Sequence, residues 1–308
     1  MKIAIMGTGG VGGYFGARFA AAGADVAFVA RGAHLEAIRR DGLRVESKNG
    51  DLHVKPAKAT DKPSEIGSVD LAVLTVKLWD TDAAIAAMAP LMGAASAAVS
   101  FQNGVEAADK LVAAFGRDRV LGGVSQIAAV IAAPGVIRHT GTLARLVVGE
   151  LDGKESARIK ALADLARRAN VDLVVSPDIR RAVWEKMVFL ATFSGMTALL
   201  RRPKGAIFSD PDTRAMFEQA AAEAVAVARA QGAQLAPDHL AKAMAFGDGL
   251  PAEMKSSMLG DLERGNPLEL PWLSGAIARM GKAAGVSTPV HQFIYSALKL
   301  DAAGGRKA

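Results

Sequence analysis

Three glycines near the start of the chain have the spacing of a phosphate-binding loop. Gly7, Gly9 and Gly12 fit the pattern G-x-G-x-x-G, with the apolar run 2–6 before them and a helix-like segment, 15–22, after them. Such glycines allow a tight turn, close approach of a pyrophosphate to the backbone, and close packing of helix on strand. The phosphate then lies on the free N–H groups of the helix. The sequence predicts a dinucleotide-binding β-α-β unit; the alternative is a glycine-rich turn that serves packing alone.

Arg31 indicates which dinucleotide this unit binds. It follows the second apolar run, 26–30, at the place where NAD enzymes usually carry an acid for the ribose hydroxyls. The sequence there is Ala30-Arg31-Gly32, without an acid. Because a guanidinium pairs well with a phosphate, NADP(H) is the predicted cofactor. The alternative is an ordinary surface arginine.

Two further polar positions follow later apolar runs. Lys77 comes after the run 69–76, and Asn103 comes after the run 97–101. Ligands of open α/β sheets bind outside the carboxyl ends of the strands, so both residues are candidates for cofactor or substrate contact. The Asn103 amide can donate and accept hydrogen bonds. The alternatives are a surface lysine and a turn residue in an Asn-Gly pair.

Lys186 is the candidate acid catalyst of the C-terminal half. In the apolar stretch 183–200, only Glu185 and Lys186 are charged. Leu190 and Ser194 follow Lys186 at intervals of four, so all three share a helical face. A lysine on a largely buried helix is costly unless it is paired or used, and its ammonium can donate a proton. The alternative is a lysine that extends to solvent beside Glu185.

Ser257 and Glu269 are the remaining polar candidates. Ser257 falls in a later predicted helix, and Glu269 stands just before the next one. The alternative for Glu269 is a favourable interaction with the N-terminal dipole of that helix.

Composition excludes several classes of function. The chain has 308 residues, enough for two domains, and no cysteine, which rules out disulfides, thiolate catalysis and cysteine-based metal sites. Its five histidines show no metal-ligand spacing, so no metal is expected. The net charge is +6, but no basic run carries interleaved aromatic residues, so nucleic acid is not an expected partner.

No membrane segment or signal peptide is expected. The apolar N-terminus is broken by glycines and is better explained as strand, turn and helix. The uncharged stretch 83–101 contains Pro90 and Gly93 and divides into a helix end and a strand. A soluble, cytoplasmic protein is therefore predicted.

The periodicity of the chain changes near residue 176. Before it, apolar runs alternate with helical segments, which predicts an α/β domain with a doubly wound Rossmann-type sheet and a mixed edge over 1–176. The later runs of this half are 120–133, 136–139, 146–149 and 171–175. From 177 to 308 the pattern predicts only helices, at 178–200, 211–231, 237–246, 251–264, 271–284 and 289–302.

Seven features occur in an order that resembles one enzyme family over nearly the whole chain. They are the glycine loop with Arg31, Val76-Lys77, Gln102-Asn103-Gly104, the PG-x-I-x-H-x-G pattern of 134–141, W-x-K at 184–186, Ser256-Ser257-Met258, and Glu269. Together they resemble the ketopantoate reductase (2-dehydropantoate 2-reductase) family. The resemblance implies an NADPH-binding Rossmann domain, a helical domain for substrate binding and dimerisation, and an active site in the cleft between them.

The resemblance also implies roles for individual residues. Lys186 matches the general acid of the family, and Glu269 is expected to orient that lysine or a substrate hydroxyl. Asn103, Ser257 and Glu269 match substrate-contacting residues, and Lys77 matches a lysine at the cleft. The implied reaction is NADPH-dependent reduction of a 2-oxo acid to a 2-hydroxy acid, with ketopantoate to pantoate, in pantothenate biosynthesis, as the leading candidate.

Two positions on the Lys186 face depart from the family pattern. The family usually has asparagine at Leu190 and at Ser194, and the segment after Glu269 differs as well. The lost amides would serve a hydroxylated substrate, so Leu190 and Ser194 are expected to line the substrate pocket and to change its specificity. The alternatives are a related reductase of a more apolar 2-oxo acid or ketone, and a non-catalytic NADP(H)-binding regulator. The sequence leaves open whether the protein forms a homodimer.

Overall fold

The structure is a computed structural model that describes residues 1–305 and consists of two compact units, Met1–Ala182 and Val183–Ala308. The division falls inside the helix Ile179–Leu200. The first unit is an α/β sheet domain, and the second has helices and no strand in its described residues, which confirms the predicted fold class. The domain limit at 176/177 stays a prediction.

In the described residues of the first unit, ten strands form a single sheet. They are β1 (Lys2–Met6), β2 (Asp25–Val29), β3 (Leu43–Glu46), β4 (Leu52–Val54), β5 (Lys58–Thr60), β6 (Leu71–Leu74), β7 (Ala97–Ser100), β8 (Val120–Ala133), β9 (Val136–Glu150) and β10 (Asp172–Val175). The helices of this unit are α1 (Gly10–Ala21), α2 (Gly32–Asp41), α3 (Thr81–Ala87), α4 (Ala107–Phe115) and α5 (Ala157–Arg168).

The strand order is β4-β3-β9-β8-β7-β6-β1-β2-β5, and β10 pairs with β9. Strand β1 is parallel to β2 on one side and to β6 on the other. The chain therefore changes direction across the sheet at β1, and ligands of open α/β sheets bind at such a switch point. The glycine loop follows β1 at this place.

Both faces of the sheet are covered. Ile3 and Ile5 belong to one apolar cluster, while Ala4 and Met6, which alternate with them along β1, belong to a second. Side chains alternate between the faces of a strand, so the two clusters lie on opposite sides of the sheet. This explains why the central strands read as continuous apolar runs.

One expectation for this unit is wrong, and one strand was not expected. The runs 136–139 and 146–149 are parts of one strand, β9, because both pair antiparallel with β8, and residues 140–143 between them lie at a register shift. The pairing of β8 with β9 shifts register twice, between Ile127 and Ala129 and between Ile131 and Ala133. Strand β5 was not expected, because its sequence Lys-Ala-Thr has no apolar run and only pairing with β2 makes it a strand.

The second unit continues with α6 (Ile179–Leu200), α7 (Lys204–Ser209), α8 (Pro211–Ala230), α9 (His239–Asp248), α10 (Ser257–Arg264), α11 (Ser274–Ala284) and α12 (Pro289–Leu298). The short helix α7 was not expected, and residues 251–256 are not helical. The side chain of Ser256 caps α10 by accepting a hydrogen bond from the Leu259 N–H at 3.0 Å, so the helix begins after it. A 3₁₀ turn, Leu270–Trp272, precedes α11.

Helix α6 is, within the part of the chain that the structure describes, the one helix long and apolar enough to cross a membrane. However, 61% of its most apolar window is buried inside the protein. A mostly buried helix of this kind is typical of a protein core. The length and composition of α6 alone are weak evidence for a membrane span.

Candidate cofactor and active site

The glycine loop packs tightly on one side and is open on the other. Gly7 has a φ of +101°, and a Cβ atom there would lie 2.7 Å from the backbone nitrogen of Val76. A Cβ at Gly12 would overlap the carbonyl oxygen of Gly7 and Oγ1 of Thr75. A Cβ at Gly9 would meet no protein atom within 4 Å. Backbone at Gly9 is thus accessible to a ligand.

Helix α1 begins directly at this open side. Its first residue is Gly10, and its first turn contains no acidic residue. The free N–H groups and the positive dipole end of a helix favour a phosphate at this position. The loop and the helix therefore fit the pyrophosphate of a dinucleotide.

Arg31 lies at the end of β2 and stands immediately before α2. Its side chain is 72% exposed, and its Nη1 atom lies 3.9 Å from Oδ1 of Asp80. The guanidinium is therefore accessible to a 2′-phosphate, but it stands beside a carboxylate. This neighbour was not predicted from the sequence, because Asp80 is distant from Arg31 along the chain.

His34 was also missed, and it holds the glycine loop in place. Its Nε2 atom donates a hydrogen bond to the carbonyl of Thr8 at 2.8 Å, and its Nδ1 atom accepts one from the Gly135 N–H at 3.0 Å. These partners assign the neutral imidazole with the proton on Nε2. Burial lowers the pKa of His34, with the hydrogen bond to Thr8 opposing, so the neutral form is favoured.

Lys77 and Asn103 follow neighbouring strands. Strand β6 is paired in parallel with β7, so the segments after them leave the same edge of the sheet. Gln102 joins the two segments, because its Nε2 atom donates to the Val76 carbonyl and to Thr81 Oγ1, both at 2.8 Å. Lys77 is exposed and Asn103 is half-buried. The structure therefore gives Gln102 a positioning role that the sequence did not indicate.

The histidine of the 134–141 pattern has structural partners. His139 is buried; its Nδ1 atom accepts from Ser47 Oγ at 2.8 Å, and its Nε2 atom donates to the Leu143 carbonyl at 3.0 Å. The ring also packs against Tyr14, with 4.9 Å between ring centroids. The hydrogen bond of His139 with Ser47 therefore links β9 to the turn between β3 and β4.

In the helical unit, Lys186 of α6 is half-buried and Glu269 is buried. Burial lowers the pKa of Lys186 from 10.5 to about 8, and the negative charge of Glu269 opposes this effect. Glu269 stands at the start of the 3₁₀ turn Leu270–Trp272, and no hydrogen bond from its side chain caps that turn. A lysine with this pKa remains largely protonated at neutral pH and releases its proton far more readily than an ordinary lysine.

The other predicted substrate residues differ in accessibility. Leu190, one helical turn after Lys186, is half-buried. Ser194 is 1% exposed, and in the described part of the chain its Oγ atom has no hydrogen-bond partner. Ser257 is exposed at the first position of α10. The roles of these residues in substrate binding stay predictions.

Comparison with known proteins identifies the family. The model of "Ketopantoate reductase PanE/ApbA" matches residues 3–153, and the model of its C-terminal domain matches residues 178–302. The chain belongs to the ketopantoate reductase family. A 2-dehydropantoate 2-reductase of Mesorhizobium japonicum is 35% identical, over 94% of each chain. An uncharacterized oxidoreductase of Bacillus subtilis is 30% identical, over 97% of this chain and 98% of that protein.

A solved structure from this family has the same fold as this chain. The crystal structure of 2-dehydropantoate 2-reductase from Geobacter metallireducens has a TM-score of 0.91 and 32% identity, and covers 97% of this chain and 99% of that chain. A D-mandelate dehydrogenase in a ternary complex has a TM-score of 0.89 at 22% identity over 98% of each chain, and this likeness shows the fold alone.

Ketopantoate reductases are oxidoreductases that act on CH–OH groups with NADP(H) and take small-molecule substrates. The predicted class of enzyme and the predicted cofactor are thereby confirmed. A cytoplasmic location and a homodimer stay predictions.

Proposed function

We propose that this protein reduces a 2-oxo acid to the 2-hydroxy acid with NADPH, and that ketopantoate is the leading substrate candidate. The observation that carries the proposal is the lowered pKa of Lys186, about 8, beside the buried carboxylate of Glu269. An ordinary structural lysine would hold its proton more tightly. Relatives named 2-dehydropantoate 2-reductase support the choice of substrate.

The residues of the first unit are proposed to hold the cofactor. Gly7, Gly9 and Gly12 would bring the pyrophosphate onto the N-terminus of α1, since the loop is open at Gly9. Arg31 would pair with the 2′-phosphate, and Lys77 and Asn103 would contact the cofactor at the same edge of the sheet. When bound, the reduced nicotinamide supplies the hydride for the carbonyl carbon of the substrate.

Lys186 is proposed to act on the carbonyl oxygen. Negative charge develops on this oxygen during the reduction, and the ammonium of Lys186 stabilises it by a charge-assisted hydrogen bond. The proton then moves from Nζ to the oxygen, which becomes the product hydroxyl. Glu269 keeps the lysine protonated before the reaction, because its charge favours the ammonium form. Asn103 and Ser257 are each proposed to hydrogen-bond a polar group of the acid.

Leu190 supports a second candidate within the same reaction class. This side chain is half-buried one turn after Lys186 and offers apolar surface where the family pattern has an amide. Apolar contact contributes about 0.8 kcal/mol for each buried methylene group of a ligand. A branched, unhydroxylated 2-oxo acid is therefore the alternative substrate.

The test is NADPH oxidation over a panel of 2-oxo acids with the unmodified protein, Lys186→Ala and Lys242→Ala. Loss of a positioned general acid lowers turnover by roughly 10²- to 10⁴-fold, so Lys186→Ala is expected to show this loss. Lys242 forms an ion pair with Asp238, 3.0 Å away on the surface of α9, and its replacement is the matched control. Near-normal turnover of Lys186→Ala would show that another residue is the general acid.

The same panel distinguishes the alternatives. Reduction of ketopantoate with the highest kcat/KM supports the leading substrate, and a preference for a branched apolar acid supports the second. An unmodified protein that binds NADPH but reduces no acid of the panel would contradict the proposal and favour the non-catalytic regulator.

A further inference from the structure

Arg31 and Asp80 form an exposed ion pair at the edge of the sheet that carries the glycine loop. Arg31 follows β2 and Asp80 ends the 3₁₀ turn Leu78–Asp80 after β6, and these two strands flank β1. The Nη1 and Oδ1 atoms are 3.9 Å apart, and the side chains are 72% and 39% exposed. Both side chains reach solvent and lie close together, so a ligand that pairs with Arg31 would also come close to Asp80.

We infer that Asp80 determines cofactor specificity by limiting the preference for NADPH over NADH. The inference rests on the proposed role of Arg31 as the partner of the 2′-phosphate. A phosphate monoester that approaches the guanidinium of Arg31 brings up to two negative charges close to the Asp80 carboxylate. The phosphate must also share the Arg31 guanidinium with that carboxylate, which lies 3.9 Å away.

NADH meets neither obstacle. It carries a hydroxyl in place of the 2′-phosphate, and a carboxylate is the group that NAD enzymes use to accept hydrogen bonds from the ribose hydroxyls. Asp80 therefore disfavours NADPH and is compatible with NADH, whereas Arg31 favours NADPH. The ratio of the two affinities depends on both residues.

The expected size of the effect is moderate. The ion pair is long and solvent-exposed, and exposed pairs contribute little to stability. Like charges separated by about 6 Å in water, with up to two on the phosphate, change an affinity by about three- to tenfold. Added salt reduces this repulsion, because about 0.5 M salt screens charges at such distances.

The experiment measures dissociation constants of NADPH and NADH without substrate, from the fluorescence of the reduced nicotinamide, for the unmodified protein, Asp80→Asn and Asp82→Asn. Asp82 is the matched control: it is a nearby exposed acid, but it pairs with Lys110 at 2.7 Å instead of with Arg31. Asp80→Asn is expected to bind NADPH about three to ten times more tightly and NADH no more tightly. The gain should shrink at high salt, and Asp82→Asn should leave the ratio unchanged.

Arg31→Ala separates this inference from the proposal on which it rests. If Arg31→Ala does not weaken NADPH binding, the 2′-phosphate site lies elsewhere and both fail. If Arg31→Ala weakens NADPH binding but Asp80→Asn leaves the ratio unchanged or lowers it, Asp80 orients Arg31 or has no role, and only the inference about Asp80 is overturned. Retained NADH binding in each variant shows that the fold is intact.

Discussion

The carboxylate of Glu269 counteracts the effect of burial on Lys186. Burial disfavours the ammonium and lowers the pKa of Lys186 to about 8, and the charge of Glu269 favours the ammonium and raises the pKa. The value of about 8 is the balance of these two effects. Because the acid form of Lys186 is the form that can donate a proton, this balance determines the alkaline limit of the proposed activity.

The value of kcat/KM should therefore fall as the pH rises through about 8, where Lys186 loses its proton. In Glu269→Gln the opposing charge is gone, so the pKa of Lys186 falls further and the alkaline limit moves to lower pH. The measurement is kcat/KM for a 2-oxo acid against pH from 6 to 10 for both proteins, because kcat/KM reports the pKa of the enzyme without substrate. An alkaline limb at the same pH in both would show that Glu269 does not control Lys186.

The sequence predicts those parts of the molecule whose cause is local. Strands covered on both faces, such as β1 and β6, are continuous apolar runs, and α8 has a proline at its first position and Gly232 after its end. Lys186 is a candidate from the sequence alone because it is a charge within an apolar helical stretch, and its role stays a prediction. The same holds for the glycine loop.

The rest depends on which segments become neighbours. Arg31 meets Asp80 only because β2 and β6 flank β1, and that strand order is not written in either segment. Gln102 joins two loops for the same reason. The two runs of β9 belong to one strand because both pair with β8, on either side of a register shift at residues 140–143. Long-range pairing, not local propensity, determines these features.

Replacement by alanine should affect cofactor binding at Gly9 and stability at Gly12. Gly9→Ala places a methyl group where no protein atom lies within 4 Å, so the fold should be kept and NADPH should bind at least about tenfold more weakly, a loss of about 1.4 kcal/mol. Gly12→Ala overlaps Gly7 and Thr75, and overpacking of this kind costs about 1–3 kcal/mol of stability. Thermal unfolding and NADPH titration of both variants are the measurements. Normal NADPH affinity in Gly9→Ala would place the pyrophosphate elsewhere.

His291 should make the protein sensitive to acid. It is fully buried, and burial lowers its pKa from 6.5 to about 4, although its Nε2–H donates to the Ala220 carbonyl at 3.0 Å. A pKa that is lowered by folding stabilises the protein above the unfolded value, and this contribution is lost as the pH falls from 6.5 through 4. The loss is about 3 kcal/mol.

The test is the free energy of unfolding at pH 7.5 and pH 4 for the unmodified protein and His291→Gln, which can still donate to Ala220. The decrease toward acid should be about 3 kcal/mol smaller in the variant. Glu223, which accepts the N–H groups of Val290 and His291, acts in the opposite direction: burial raises its pKa, so its contribution is present at low pH and is lost as the pH rises through the folded value. Equal pH dependence in both proteins would show that His291 is not the acid-sensitive group.

Leu190→Asn should move substrate preference toward ketopantoate. Leu190 is half-buried one turn after Lys186, and a leucine leaves a substrate hydroxyl without a partner, which costs about 1–3 kcal/mol. The asparagine amide restores a donor and an acceptor, so kcat/KM for ketopantoate relative to a branched apolar 2-oxo acid should rise by roughly five- to a hundredfold. The measurement is steady-state kinetics on both acids, with Ser194→Asn as the comparison. Because Ser194 is almost fully buried, its replacement should mainly lower stability. A strong preference for ketopantoate in the unmodified protein, unchanged in Leu190→Asn, would show that Leu190 packs between helices and that another residue recognises the hydroxyl.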